Sequence, residues 1–354
     1  MTENAQRNRE AEVNLLAAAR EAQWSAAAFM GPNTMKLVSP AKVNLLLAIG
    51  ARREDGYHDA DTIMHALALH DTLYLCAEDI SADELAKRTA EGASREDVAV
   101  GGPADNLVMT IDLADRTGQD LAVPAADNLA FKAADRLSRA VGRDLPEAIQ
   151  LRIEKHIPDQ GGLGGGSSNA AAGLGGLAKA GGLAADDERV ADVARSLGAD
   201  VAFFLHGGCA LLGGVGEVLQ RRLETSRRSV VLVKPAEGVC TAEAYKRFDA
   251  APRPVPQDVL VCDLAATRAD DVVLANNLAP AAEALLPELP SLREWLAEQA
   301  GSESVLLSGS GSATFALVDT FAGASRIATA ATAHGWWARP TSLSGLRAAV
   351  VPGR

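Results

Sequence analysis

The sequence predicts an α+β protein made of two α/β units, and three observations point to it. The chain has 354 residues, a length that suits two domains of ordinary size or one large one. Strand-like and helix-like runs alternate along it, the pattern of helices layered on sheets. The alternation breaks in the neighbourhood of Arg221 to Arg228, before "RRSVVLVKP" restarts an apolar strand-like run. The boundary is placed there, giving an N-terminal unit over 35–225 and a C-terminal unit over 226–354.

The elements follow in order. Residues 1–34 are helix-prone but precede any compact pattern, and Gly31, Pro32 and Asn33 break them off. Two readings stand for this extension: an artefact upstream of a start at Met35, or a short amphipathic interaction helix. From Met35, "MKLV" reads as a short strand, "SPAK" as a polar break, "VNLLLAIG" as an apolar strand and "ARREDG" as a charged turn before alternating strand-like segments. Asp127 to Gly142 has apolar residues at helical spacing with Asp127 as its cap, and "AIQLRIEKHIP" is a strand stopped by Pro158. A glycine-rich segment and an alanine-rich helix come next. "DERVADVARSLG" is a further helix ending near Gly198, followed by buried apolar segments punctuated by glycines. "RRSVVLVKP" restarts a strand. A helix, a proline-rich loop over Ala251–Gln257, helices across 276–299, and a strand, glycine turn, strand, helix and strand complete the chain.

Composition limits the function. The chain is 48% hydrophobic and 23% charged, which suits a soluble globular protein; with few aromatics, its core should be mostly Ala, Val and Leu. A formal net charge of -12 without a Lys/Arg cluster argues against duplex nucleic acid as a partner. It leaves phosphorylated small molecules open, because a few backbone N–H groups and one lysine suffice for a local anion site. Cys76, Cys209, Cys240 and Cys262 have neither zinc nor disulfide spacing and read as reduced core residues. No apolar run is long enough for a membrane span and no signal peptide is recognisable, so a cytoplasmic protein is expected.

The segment "HIPDQGGLGGGSSNAAAGLGGLAKA" carries the chemistry. Its glycines lack Cβ atoms, so successive N–H groups can converge on an anion, and the helix that follows adds its own unpaired donors and dipole. Ser167 and Ser168 can cap that helix and offer hydroxyls to phosphate or metal. A flexible linker, or glycines that admit close packing of helix on sheet, are the alternatives. The spacing is neither Walker A nor the dinucleotide fingerprint.

Three motifs in order, "SPAKVNLLL" at Ser39–Leu47, "PDQGGLGGGSSNAAA" and "LLSGSGSATFAL" at Leu306–Leu317, resemble those of the GHMP kinases, the family of galactokinase, homoserine kinase, mevalonate kinase and phosphomevalonate kinase. "REDGYHDADTIM", "DNLAFKAADRL" and "LGADVAFFLHGGCALLGGVGE" are similar to the branch of that family whose acceptor is a cytidine-diphosphate-linked methylerythritol. The likeness spans roughly residues 36–350 and is weaker between Ala250 and Ser304; Ala202 stands where proline is common.

The resemblance implies the GHMP-kinase fold, two α/β domains with the active site in the cleft between them, and ATP with Mg2+ as cofactors. It implies Asp200 as the base on the acceptor hydroxyl and Lys42 as the cation beside it, the charges that phosphoryl transfer to an alcohol requires. Pro158, Gly161, Gly162, Leu163, Gly164, Gly165, Gly166, Ser167 and Ser168 should wrap the ATP phosphates. Asn128 and Lys155 should lie near the adenine or ribose, with an exposed strand lysine the alternative for Lys155. Tyr57 and His58 match positions that hold the cytosine, Tyr245 closes its other side, and Asn44 meets a substrate hydroxyl or orients Lys42. The metal ligands are unassigned, with Ser167 and Ser168 as candidates; His65, His70, His156, His206 and His334 read as structural or exposed. Partners are then small molecules, with no nucleic acid or membrane, and monomer and homodimer both stay open. Two rivals remain: a family member acting on homoserine or mevalonate, and a non-catalytic nucleotide-binding relative.

Overall fold

The computed structural model describes residues 33–119, 121–184 and 186–352, so the N-terminal extension read from the sequence lies almost wholly outside the described residues. The stretch that patterning divides into strand, polar break and strand is one continuous element, β1 (Met35–Arg52). Ser39 and Pro40 do not end it, because the ladder with β2 (His58–Asp79) slips between Pro40 and Lys42 and again between Asn44 and Leu46. Bulges of this kind absorb a residue that cannot pair and re-aim the side chains beside them.

After β2 come α1 (Ala82–Gly92), β3 (Val98–Gly101), β4 (Leu107–Asp115), α2 (Leu129–Ala140) and β5 (Glu147–Lys155). The cap of α2 is Asn128, whose Oδ1 accepts from the Ala130 N–H at 2.9 Å, rather than the expected Asp127. The glycine segment leads into α3 (Gly165–Ala180), then α4 (Glu188–Leu197) and α5 (Ala199–His206). The sequence reading has glycine-punctuated apolar segments where α5 lies. Gly198 ends α4, and the chain re-enters a helix at once, with Asp200 in its first turn. The N-terminal half closes with β6 (Cys209–Gly213) and β7 (Val218–Leu223).

Beyond residue 226 run β8 (Ser229–Lys234), α6 (Thr241–Ala250), α7 (Gln257–Ala265), β9 (Ala275–Asn276), α8 (Ala279–Leu285), α9 (Glu288–Ala300), β10 (Val305–Leu307), β11 (Thr314–Val318), α10 (Phe321–Ala333), β12 (Trp337–Ser342) and β13 (Ala349–Val350). The first sheet has the order β13-β1-β2-β5-β4-β3, with β6 on β2, β7 on β6 and β9 parallel to β1. The second is antiparallel, β10-β11-β8-β12. β9 and β13 come from beyond residue 226 and pair with β1, so the first sheet draws strands from both sides of the expected boundary.

β1 and β2 are buried on both faces. Leu37, Leu73 and Leu75 pack with Ala134 and Leu137 of α2 and Ala171 and Leu174 of α3. Val43, Leu45 and Ile63 pack with Val230 and Leu232 of β8 and Phe315 of β11. Each such side chain contributes roughly 1.5–3 kcal/mol when removed from water, enough to fix the second sheet against the first. In this apolar setting Lys42 and Asn44 are conspicuous: both are buried and polar, two residues apart on one strand, and bracketed by the first two of the three slips in the ladder.

Of the four cysteines only Cys209 is a core residue. Cys76 is half-buried, and Cys240 and Cys262 are exposed, at the entry to α6 and on α7. Cys240 is the residue that caps the N-terminus of α6 and Cys262 lies on an exposed position of α7, so neither packs into a core.

Candidate active site

Lys42 is 3% exposed, and its Nζ donates to Asn44 Oδ1 at 2.6 Å and lies 3.7 Å from Asp200 Oδ2. Asn44 Nδ2 donates to Thr62 Oγ1 at 2.8 Å, and that hydroxyl donates to the Leu46 carbonyl at 2.7 Å. The ammonium is therefore held by a relay that ends on the backbone. Such a relay leaves the lysine one arrangement, and a cation fixed in this way costs little to reorganise when charge builds beside it. Asp200 sits in the first turn of α5, where the dipole favours its negative charge, and its side chain is 32% exposed toward a cavity.

That cavity has a volume of about 510 Å³. Lys42, Asn44, Thr62, Gln160, Gly162, Asp200, Thr241, Tyr245, Gly309, Ser310 and Gly311 are among its lining residues. Tyr245 on α6 faces Asp200 electrostatically; burial, and then the charge of Asp200, push its phenol up to about 12, so the hydroxyl stays a donor at neutral pH.

The glycine loop is fastened at several points. The Lys42 N–H donates to the Leu163 carbonyl at 3.0 Å, and a Cβ at Gly164 would stand 3.2 Å from Lys42 Cγ and 2.8 Å from the Phe204 ring. Gly164 caps α3 at φ 72 with no side chain to occupy the first turn, whose N–H groups from Gly165, Gly166 and Ser167 an α-helix leaves without internal acceptors. Ser167 and Ser168 thus lie inside that turn instead of capping it, and the Ser168 hydroxyl is buried without a hydrogen-bond partner.

Under the loop is an ion pair that the sequence does not suggest. Asp71 is fully buried, its Oδ2 accepts from Lys155 Nζ at 2.7 Å, and its Oδ1 accepts from the N–H groups of His156 and Ile157 at 2.7 and 2.8 Å. Lys155 also donates to the Ile157 carbonyl at 2.7 Å, and a Cβ at Gly165 would stand 2.6 Å from its Nζ. Lys155 is therefore neither an exposed strand lysine nor one turned to open space; its contacts describe a brace beneath Gly165. Asn128 spends its side-chain oxygen on the α2 cap. Pro158, Gly161 and Leu163 are buried along the loop, while Gly162 reaches the cavity.

The third motif supplies the opposite wall. Ser308 Oγ donates to the Gly162 carbonyl at 2.9 Å, and the N–H groups of Ser312 and Ala313 donate to the Gln160 and Gly161 carbonyls at 2.9 and 3.1 Å. Asn276 Nδ2 fixes this loop through the Leu307 and Gly309 carbonyls at 2.9 and 2.8 Å. Sequence patterning does not single out Thr62, Gln160, Thr241 or Gly309–Gly311, which line the cavity, or Asn276, which holds the third-motif loop. For the glycines the motif itself was the available signal; for Thr62 and Asn276 only the fold brings them near.

The cytosine-binding expectations divide. Tyr245 lines the cavity, and His58 is buried behind it with ring centroids 5.3 Å apart. Tyr57 is 65% exposed in the turn before β2, and its ring is not part of the cavity wall, because its backbone is held by Asp55 Oδ1 at 3.1 Å in a polar turn.

The chain is similar to known proteins in sequence and fold. The family description "GHMP kinases N terminal domain" matches residues 128–208, and "GHMP kinases C terminal" matches 263–335. The fold and these matches define an ATP-dependent small-molecule kinase of the GHMP type. A 4-diphosphocytidyl-2-C-methyl-D-erythritol kinase of Desulfitobacterium hafniense is 36% identical over 300 residues, covering 84% of this chain and 91% of that one. Its counterpart in Xanthobacter autotrophicus is 35% identical and covers 87% and 99%. A crystal structure of 4-(cytidine 5'-diphospho)-2C-methyl-D-erythritol kinase superposes with a TM-score of 0.62 at 32% identity, covering 88% of this chain and all of that one. A homoserine kinase from Cytophaga hutchinsonii reaches the same TM-score at 18% identity, a likeness of fold alone. The chain belongs to the 4-diphosphocytidyl-2-C-methyl-D-erythritol kinase family.

Proposed function

We propose that the protein transfers the γ-phosphoryl group of ATP to a hydroxyl of 4-diphosphocytidyl-2-C-methyl-D-erythritol, a step of non-mevalonate isoprenoid precursor synthesis. The observation that carries this reading is the Lys42 ammonium 3.7 Å from Asp200 at a cavity walled by the glycine loop. The first turn of α3 binds the ATP phosphates through backbone N–H groups. Asp200 takes the proton of the acceptor hydroxyl, whose oxygen forms the new bond to phosphorus as the bond to the bridging oxygen of ADP breaks. Lys42, held by Asn44, stabilises the charge on the transferring oxygens. The cytosine end of the substrate extends toward Tyr245 and His58.

Mg2+ would neutralise polyphosphate charge. Among the described residues no cluster of three or more His, Cys, Asp or Glu could hold a metal, so phosphate oxygens and water would supply most of its ligands. The buried, unpartnered Ser168 hydroxyl at the α3 entrance suits the remaining place, with Ser167 next to it.

Residues 35–225 carry the catalytic pair and glycine loop in this reading, and residues 226–354 supply the third motif and α6. No helix among the described residues is long and apolar enough to cross a membrane, and the need for ATP fits a cytoplasmic setting. The deciding experiment measures ADP formation with the cytidine-linked alcohol, homoserine and mevalonate side by side. Turnover of the first alone supports the reading; turnover of either other alcohol without it refutes it.

A further inference from the structure

Thr62 lies on β2, on the wall of the catalytic cavity, yet it is only 1% exposed. Its partners in register are Leu47 on β1 and Leu212 on β6, both buried and apolar. A valine would fill this place with the same shape and a similar preference for strand, so packing of the sheet does not account for a hydroxyl here. That hydroxyl makes two bonds: Oγ1 is 2.7 Å from the Leu46 carbonyl oxygen and 2.8 Å from Asn44 Nδ2.

The direction of each bond follows from what its partner can do. A backbone carbonyl only accepts, so the single proton of the Thr62 hydroxyl goes to Leu46. Toward Asn44 the hydroxyl can then only accept, and the amide must turn its Nδ2 to Thr62. Its Oδ1 is thereby left to Lys42, 2.6 Å from Nζ. The opposite amide orientation would set an NH2 group against an ammonium, two donors with no acceptor between them. Lys42 depends on this amide, because Asn44 Oδ1 is its one short side-chain acceptor and Asp200 Oδ2 stands off at 3.7 Å.

We propose that Thr62 is a positioning residue for phosphoryl transfer: its hydroxyl fixes the orientation of the Asn44 amide and, through that amide, holds the Lys42 ammonium beside Asp200. This rests on the catalytic reading of Lys42 and Asp200 above. Thr62 acts through Asn44 and not on either substrate, so turnover depends on it and substrate binding does not.

The test replaces Thr62 with Val, which keeps the shape and removes the hydroxyl, and with Ser, which keeps the hydroxyl. With ATP and the cytidine-linked alcohol, Thr62→Val should lower kcat roughly 10- to 100-fold with both KM values within about twofold of wild type, and Thr62→Ser should recover most of that loss. In an Asn44→Ala background Thr62→Val should lower kcat no further, since the amide it orients is gone. A kcat for Thr62→Val within about twofold of wild type, equal losses in the two variants, or the full loss repeated in the Asn44→Ala background overturns the proposal. Lysine-selective 15N NMR of the free enzyme reads the same relay without either substrate. The Lys42 ammonium signal, identified by its absence in Lys42→Met, should shift or broaden in Thr62→Val and return in Thr62→Ser; an unmoved signal overturns the proposal. If the wild-type enzyme does not turn over this alcohol, the acceptor assignment falls, and the ammonium signal alone decides the role of Thr62.

Discussion

Gly162→Ala tests whether the two glycine-bearing loops form one unit. Gly162 has φ +69, and a Cβ there would stand 2.0 Å from the Ser308 carbonyl oxygen, 2.9 Å from its carbon and 3.2 Å from the Gly311 nitrogen. All three are backbone atoms, so no side chain can swing away, and the loops would have to separate by roughly 1 Å or more to reach normal contact. The left-handed backbone costs an alanine about 1–2 kcal/mol. Separation also strains three bonds: Ser308 Oγ to the Gly162 carbonyl at 2.9 Å, and the Ser312 and Ala313 N–H groups to the Gln160 and Gly161 carbonyls at 2.9 and 3.1 Å. At ~0.5–1.5 kcal/mol each, their loss brings the total to about 3–6 kcal/mol. Urea unfolding should show a drop of that size. Because Gly162 lines the acceptor cavity and leads into α3, the KM values for ATP and for the acceptor alcohol should both rise. A variant within about 0.5 kcal/mol of wild type and with unaltered kinetics would show that the loops move independently.

Asp200→Asn keeps the side chain's shape but removes the proton acceptor; kcat should fall roughly 100- to 10,000-fold with ATP affinity little changed, and combined with Lys42→Met the loss should be far from additive, since the two groups are 3.7 Å apart. Near wild-type kcat in Asp200→Asn would place the base elsewhere. Asp71→Asn leaves the buried Lys155 ammonium only the more distant, partly exposed Asp159 carboxylate at 4.0 Å and should cost about 3 kcal/mol in denaturant unfolding, much of it recovered in the double variant with Lys155→Met; a loss under about 1 kcal/mol would remove the brace from the account. His65, fully buried, is held neutral by donating from Nδ1 to the Ala66 carbonyl at 2.8 Å and accepting at Nε2 from the Ser226 N–H at 3.0 Å, and burial pushes its pKa down from 6.5 to about 4. A depressed histidine makes the unfolded chain bind more protons below pH 6.5, so its stabilisation is full above that pH and is lost as pH falls toward 4, by about 3 kcal/mol. The slope of unfolding free energy against pH in that window should be smaller in His65→Gln; an unchanged slope would assign it to other groups.

Sequence alone determined what is local. Helix periodicity placed α2 and α4, Gly198 marked the end of α4, and the glycine segment ahead of an alanine-rich run specified a helix with an open first turn, because these depend on neighbours within a few residues. The ordered motifs were enough to indicate the family. Tertiary structure decided what depends on distant partners. It carried β1 through Pro40 by a slip against β2, and it turned Lys155 inward to Asp71, a residue 84 positions away. It also left Tyr57 exposed while bringing Tyr245 from α6 to the cavity, and it coupled His58 to Asp249 across 191 positions. Burial and hydrogen-bond satisfaction set these outcomes. Both are properties of the packed molecule, since a charged or polar side chain can enter the interior only where the fold supplies its partner.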